Sequence, residues 1–151
     1  MNITIPLTVS PSPHNQSKTN RYGGVYKSKR EIAYITELEQ AINKLHIQER
    51  YVEQYLTVRY TFGIKPPKSW SIKKTTQALE QTILPTNKTI GDIDNIVKST
   101  QDVLMRTNII DDDSNIVNLS ATKIYSPEPF VQIEVQQYEP ITRTIRTKNK
   151  T

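Results

Sequence analysis

The 151-residue chain contains no cysteine, so disulfides and thiolate metal sites are both impossible, and a reducing cytoplasm is the expected home. Its two histidines, His14 and His46, lie far apart in the chain and show no zinc spacing. The four glycines, Gly23, Gly24, Gly63 and Gly91, make neither a Walker loop nor a dinucleotide fingerprint. No run approaches the roughly 18 apolar residues of a membrane span. The start, Met1 to Val9, alternates and contains Pro6, so no signal peptide is expected there. Apolar residues make up 35% of the chain, which is low for one domain of this length. A second subunit is therefore expected to complete part of the core.

Aspartate is absent from most of the sequence as well. All six fall between Asp92 and Asp113, in the order Gly91-Asp92-Ile93-Asp94-Asn95-Ile96-Val97-Lys98, then Asp102, then Asp111-Asp112-Asp113-Ser114-Asn115-Ile116-Val117. Short carboxylates crowded together repel unless something neutralises them, and the usual agent is a divalent cation bound through oxygen. The plainer alternative is a set of helix caps and a solvated acidic loop.

Twenty Lys and Arg against fifteen Asp and Glu give a formal charge of +5. The basic residues are grouped: Lys18, Arg21, Lys27, Lys29 and Arg30; then Lys65, Lys68, Lys73 and Lys74; then Arg143, Arg146, Lys148 and Lys150. All three groups avoid the aspartate segment, as a phosphate-gripping surface around an acidic centre requires. The pattern points to a metal-dependent enzyme acting on a polyanion, although ordinary solubility charge also produces basic surfaces.

Alternation of Ile3, Ile5, Leu7 and Val9 predicts a first strand, and the Pro-, Ser-, Asn- and Gly-rich stretch from Ser10 to Gly24 a loop. Ile32, Ile35, Leu38, Ile42 and Leu45 recur at helical spacing after Ser28, a candidate N-cap with Glu31 three residues on. A second strand runs through Leu56, Val58, Tyr60 and Phe62, and cannot stay in a sheet interior at Pro66-Pro67. Ser71 is expected to cap a short helix to about Thr82. An amphipathic helix follows over Asn95–Arg106, with Ile96, Val97, Thr100, Val103 and Leu104 in an arc of roughly 120° and Asp94 and Lys98 on the opposite side. Strands over Ile116–Tyr125 and Phe130–Tyr138 close the domain, and the basic tail beyond Pro140 is expected to be mobile.

Asp92 and Asp94 can converge only if the backbone turns between them, which Gly91 makes easier. Either residue is also a natural N-cap. Asp111, Asp113 and Asn115 have calcium-loop spacing for five residues. The pattern then fails, because Ile116 and Thr122 stand where an EF-hand requires Gly and Glu.

The ordered set Asp92-x-Asp94-Asn-x-x-Lys98, Asp102-Val-Leu, and Asp112-Asp113-Ser-Asn-Ile-Val resembles the RusA-type Holliday junction resolvases, small endodeoxyribonucleases common in phages and prophages. Tyr26-x-Ser28, Pro67-Lys68-Ser69-Trp70, Pro85-Thr86-x-Lys88 and Lys123-x-Tyr125-Ser-x-Glu-Pro-x-Val131 extend the likeness over roughly Ile3 to Tyr138. The resemblance implies an α+β fold with a small mixed β-sheet and packed helices, over residues 1–139, and the chain's composition sets 140–151 apart as a basic tail. It also implies a homodimer that binds four-way DNA junctions and cuts two opposed strands symmetrically in recombination and repair, with Mg2+ or Mn2+. Carried over by position, the metal-binding acids are Asp92, Asp94 and Asp113, with Lys98 as the catalytic or phosphate-contacting lysine. Asp113 is preferred to Asp112 because the family's ligand immediately precedes the Ser-Asn-Ile step. Asp102 also matches a family position, but a plain helix-surface carboxylate is the favoured reading of it.

Arg21, Lys27, Lys29, Arg30, Lys68, Lys73 and Lys74 are the expected DNA contacts. The chain departs from the family at Gly91, where a basic residue or proline is common, and in having no aromatic in the three positions after Lys98. Trp70 or Tyr22 is then left as the junction-opening aromatic, with core packing the favoured role of Trp70. Two other readings remain: a junction-binding protein without catalysis, whose acids are structural, and a less selective nuclease of branched DNA.

Overall fold

A computed structural model describes residues 1–14, 18–19, 21–22 and 25–140, with backbone alone at 18–19 and 25–26. The chain runs β1 (Asn2–Pro6), β2 (Lys18–Thr19), β3 (Val25–Tyr26), α1 (Lys29–Leu45), β4 (Leu56–Ile64), α2 (Ile72–Leu79), α3 (Ile93–Arg106), β5 (Ile116–Tyr125) and β6 (Phe130–Gln137). This is an α+β fold, as the sequence predicts. The tail with Arg143, Arg146, Lys148 and Lys150 lies outside the described residues, as do Gly23, Gly24 and the side chains of Lys18 and Tyr26.

The main sheet has the order β1-β6-β4-β5, with β4 parallel to β5 and antiparallel to β6. A parallel pair needs a long crossover, and the segment between β4 and β5 carries α2, α3 and the whole acidic cluster. Alternation sorts the faces. Val58, Tyr60 and Phe62 oppose Val135, Ile133 and Val131 of β6, all buried, and form the core face with Ile5 of β1. Residues on the other face, Arg59, Asn118, Ser120 and Gln136 among them, are exposed and polar. The helices therefore cover one side of the sheet only. No helix among the described residues is long and apolar enough to cross a membrane.

Ser28 caps α1 as expected, its Oγ accepting the Glu31 N–H at 3.2 Å. The buried stripe differs from the one predicted. Ile35, Leu38 and Ile42 face inward, but so do Glu31 and Tyr34, while Ile32 and Leu45 are about half exposed. Two polar contacts turn the helix: the Tyr34 hydroxyl pairs with Thr100 Oγ1 at 2.7 Å, and the Glu31 carboxylate with His14 Nδ1 at 2.8 Å. Glu31 is thus engaged by His14, away from the reciprocal capping role its spacing suggests. Helix α2 stops at Leu79, short of Thr82, because Gln81 takes a left-handed φ of 61°.

Helix α3 buries every member of its predicted arc: Ile96, Val97, Thr100, Val103 and Leu104, with Ser99 added. Its N-terminal half is laced to the loop after β1. Ser99 Oγ donates to the Ser12 carbonyl at 2.7 Å, and the His14 N–H to the Asn95 carbonyl at 2.8 Å. These bonds fix where the helix begins, and so where the first two aspartates stand.

Candidate active site

Gly91 sets the approach to α3. Its φ of +95° is one that residues with a side chain rarely adopt, and a Cβ there would come within 2.5 Å of the Pro13 ring. Lys123 Nζ, from β5, donates to the Gly91 carbonyl at 3.1 Å and ties the same turn to the sheet. Gly91→Ala is therefore expected to destabilise the protein by roughly 1–3 kcal/mol, the range for a strained backbone position. An unchanged urea midpoint would show that the turn is not held in this form.

Asp92 then takes the N-cap position in extended conformation, φ −76° and ψ 143°, and its carbonyl accepts the Ile96 N–H at 3.1 Å. Its carboxylate makes no capping bond. Asp94, one residue into α3, accepts the Asn95 N–H at 2.9 Å and is exposed. The helix start separates the two acids. Asp94 lines a cavity of about 520 Å³ with Lys98, Gln101 and Asp113, against Leu119 and Ala121 of β5. Asp92 lines a neighbouring cavity of about 590 Å³ with Arg30, Lys88 and Ser28. Arg30 closes that second cavity by donating to the Thr89 carbonyl at 2.6 Å. Among the described residues, no three His, Asp or Glu side chains stand close enough to hold one ion together.

The three consecutive aspartates have three different surroundings. Asp111 accepts the Glu53 N–H at 3.1 Å and the Asn115 side-chain amide at 3.2 Å. Asp112 caps the 3-10 turn Asp113–Asn115 by accepting the Ser114 N–H at 2.9 Å, which holds its carboxyl below the usual range. Asp113 alone of the three lines the cavity with Asp94 and Lys98. Asp102, two turns past Asp94, lines neither of these two cavities.

Sequence reasoning missed two polar groups here. Gln101 Oε1 and the Tyr60 hydroxyl are buried, and neither has a hydrogen-bond partner among the described residues. Burial first, then the neighbouring Tyr34 and Asp113, pushes the Tyr60 phenol well above its ordinary pKa. A buried group without a partner costs about 1–3 kcal/mol. The spacing of Asp94, Lys98 and Gln101 at i, i+4 and i+7 was the available signal, since it puts all three within roughly 60° on one helix flank.

Arg21, Lys27, Lys29, Arg30, Lys68, Lys73 and Lys74 are all exposed, and none is in an ion pair with a described residue. Lys74 Nζ sits 4.1 Å from the centre of the Trp70 ring, and Trp70 packs edge-on against Tyr125. Trp70 is therefore half-buried packing at the foot of α2, whereas Tyr22 is 86% exposed.

A small mixed sheet, a helix whose start holds two aspartates, and an aspartate ahead of β5 are where the structure places the residues that carry the resemblance. The sequence profile of the family described as Endodeoxyribonuclease RusA matches residues 8–136, and the chain belongs to that family. A 67-residue stretch is also 41% identical to the Uncharacterized protein YqaN of Bacillus subtilis (strain 168). That match takes in 44% of this chain and spans 45% of the relative's length.

Proposed function

We propose that this protein is a metal-dependent endodeoxyribonuclease that resolves four-way DNA junctions by paired hydrolysis of opposed phosphodiesters. The observation that carries the reading is the shared cavity of Asp94, Lys98 and Asp113, in a chain of the RusA family. The two carboxylates are hard oxygen donors of the kind Mg2+ or Mn2+ takes, and Mg2+ is commonly bound by one or two carboxylates with water filling the rest. Asp94 and Asp113 would hold the ion, with Asp92 at the start of α3, in the adjoining cavity, as the third acid. When bound, the ion supplies Lewis-acid charge and an activated water.

The protein's own groups do the rest. Lys98, one helical turn from Asp94, contacts the non-bridging phosphate oxygens and offsets the charge that grows as water adds to phosphorus and the ester bond breaks. Arg30 and Lys88, lining the neighbouring cavity, take the adjoining backbone phosphate. The exposed lysines of α1 and α2 grip the arms. Two copies related by a two-fold axis match the two-fold symmetry of a junction, which is the reason to expect a homodimer.

A labelled synthetic four-way junction, incubated with and without Mg2+, tests the reading. Paired nicks across the junction are expected. Binding without cutting would favour a structural role for the acids, and equal cutting of flaps would favour a general branched-DNA nuclease. Lys98→Ala should lower the single-turnover cutting rate roughly 10²–10³-fold, the usual effect of removing one charge-stabilising donor, with a much smaller loss of junction affinity. Equal losses of rate and affinity would make Lys98 a binding residue.

A further inference from the structure

Only two buried side-chain polar atoms among the described residues lack a partner, Gln101 Oε1 and the Tyr60 hydroxyl, and the first borders the cavity of Asp94, Lys98 and Asp113. Gln101 lines it directly. Tyr60 is the register partner of Ala121, another lining residue, on the adjacent strand β4. Polar groups buried in a folded core are nearly always hydrogen-bonded, so an exception that faces a cavity of two carboxylates and a lysine points to a partner that arrives with a ligand.

The geometry limits what that partner is. Gln101 is seven residues beyond Asp94, about 10 Å along the helix axis, on the same helix flank. That separation argues against one ion touching both Asp94 and Gln101 directly, and for a water between the ion and the carboxamide. We propose that Gln101 is a positioning residue whose Oε1 accepts a hydrogen bond from a water on the divalent cation held by Asp94 and Asp113. The inference rests on the reading of this cavity as a cation site.

Isothermal titration of Mn2+ into the metal-free full-length protein tests it without any cutting assay. Gln101→Leu should weaken Mn2+ binding roughly 10–100-fold, the usual effect of losing an outer-shell partner. Its melting midpoint without metal should be equal or higher, because an acceptor without a donor has been removed. Gln101→Glu, which keeps the oxygen, should restore binding. Wild-type Mn2+ affinity in Gln101→Leu would overturn the proposal. A lowered midpoint in both variants, with binding not restored by Gln101→Glu, would overturn it too, since that is the mark of a packing role.

Asp94→Asn in the same titration separates the two levels. Unchanged Mn2+ affinity there removes the cation site itself and overturns both readings. Impaired binding in Asp94→Asn beside wild-type binding in Gln101→Leu overturns only the role of Gln101.

Discussion

Asp94→Asn is expected to lower junction cleavage by at least roughly 10³-fold while leaving fold and junction binding nearly intact. The substitution removes one ligand charge and keeps the side chain's shape. The oxygen that accepts the Asn95 N–H is retained, so the local bond at 2.9 Å survives. What the fold loses is a first-turn carboxylate at a helix N-terminus, worth about 0.3–1 kcal/mol. A 10³-fold rate loss corresponds to about 4 kcal/mol of barrier, so the effect on chemistry dominates. Single-turnover cutting and thermal melting, measured side by side, check it. Cutting at the parental rate would remove Asp94 from the site. Asp113→Asn should behave alike, and Asp112→Asn should not, because Asp112 caps the Asp113–Asn115 turn and lies outside the cavity. A dead Asp112→Asn beside an active Asp113→Asn would move the ligand by one residue.

The second large effect is that of salt on junction binding. One chain carries +5, so a dimer carries twice that, +10. Seven basic residues named as DNA contacts are exposed and form no ion pair among the described residues, so folding leaves their charge available. Neutralising about 6–10 phosphates releases their counterions, and affinity should fall roughly 10³–10⁵-fold between about 50 and 200 mM salt. Binding isotherms in metal-free buffer, plotted as log affinity against log salt, give the slope. A linear duplex offers the same phosphates without the two-fold arrangement of arms, so it should compete poorly. A shallow slope, or a duplex that competes as well as unlabelled junction, would reduce the protein to a general DNA binder.

Most element boundaries were legible because their signals are local. Ser28 and Ser71 are side-chain caps that act within one turn. Strand β6 alternates through Val131, Ile133 and Val135, and β5 covers the expected span, Ile116–Tyr125. Where the reading slipped, a distant partner decided. Burial of Glu31 and Tyr34 turned α1 away from Ile32 and Leu45, and the partners responsible, His14 and Thr100, are 17 and 66 residues away.

The acidic cluster divides in the same way. From the order of its aspartates and Lys98 the sequence alone determined which residues to suspect, that α3 begins among them, and that the basic groups lie elsewhere. Those are properties of spacing and composition, and they need no third dimension. Only the tertiary structure decided which acids meet. The parallel pairing of β4 with β5 brings Asp113 to the flank of α3, where Asp94 and Lys98 point, and the pinned turn at Gly91 aims Asp92 into the next cavity. It also decided that Gln101 Oε1, in the first of those cavities, has no partner among the described residues, because the absence of a donor is set by every neighbour at once and by no local pattern.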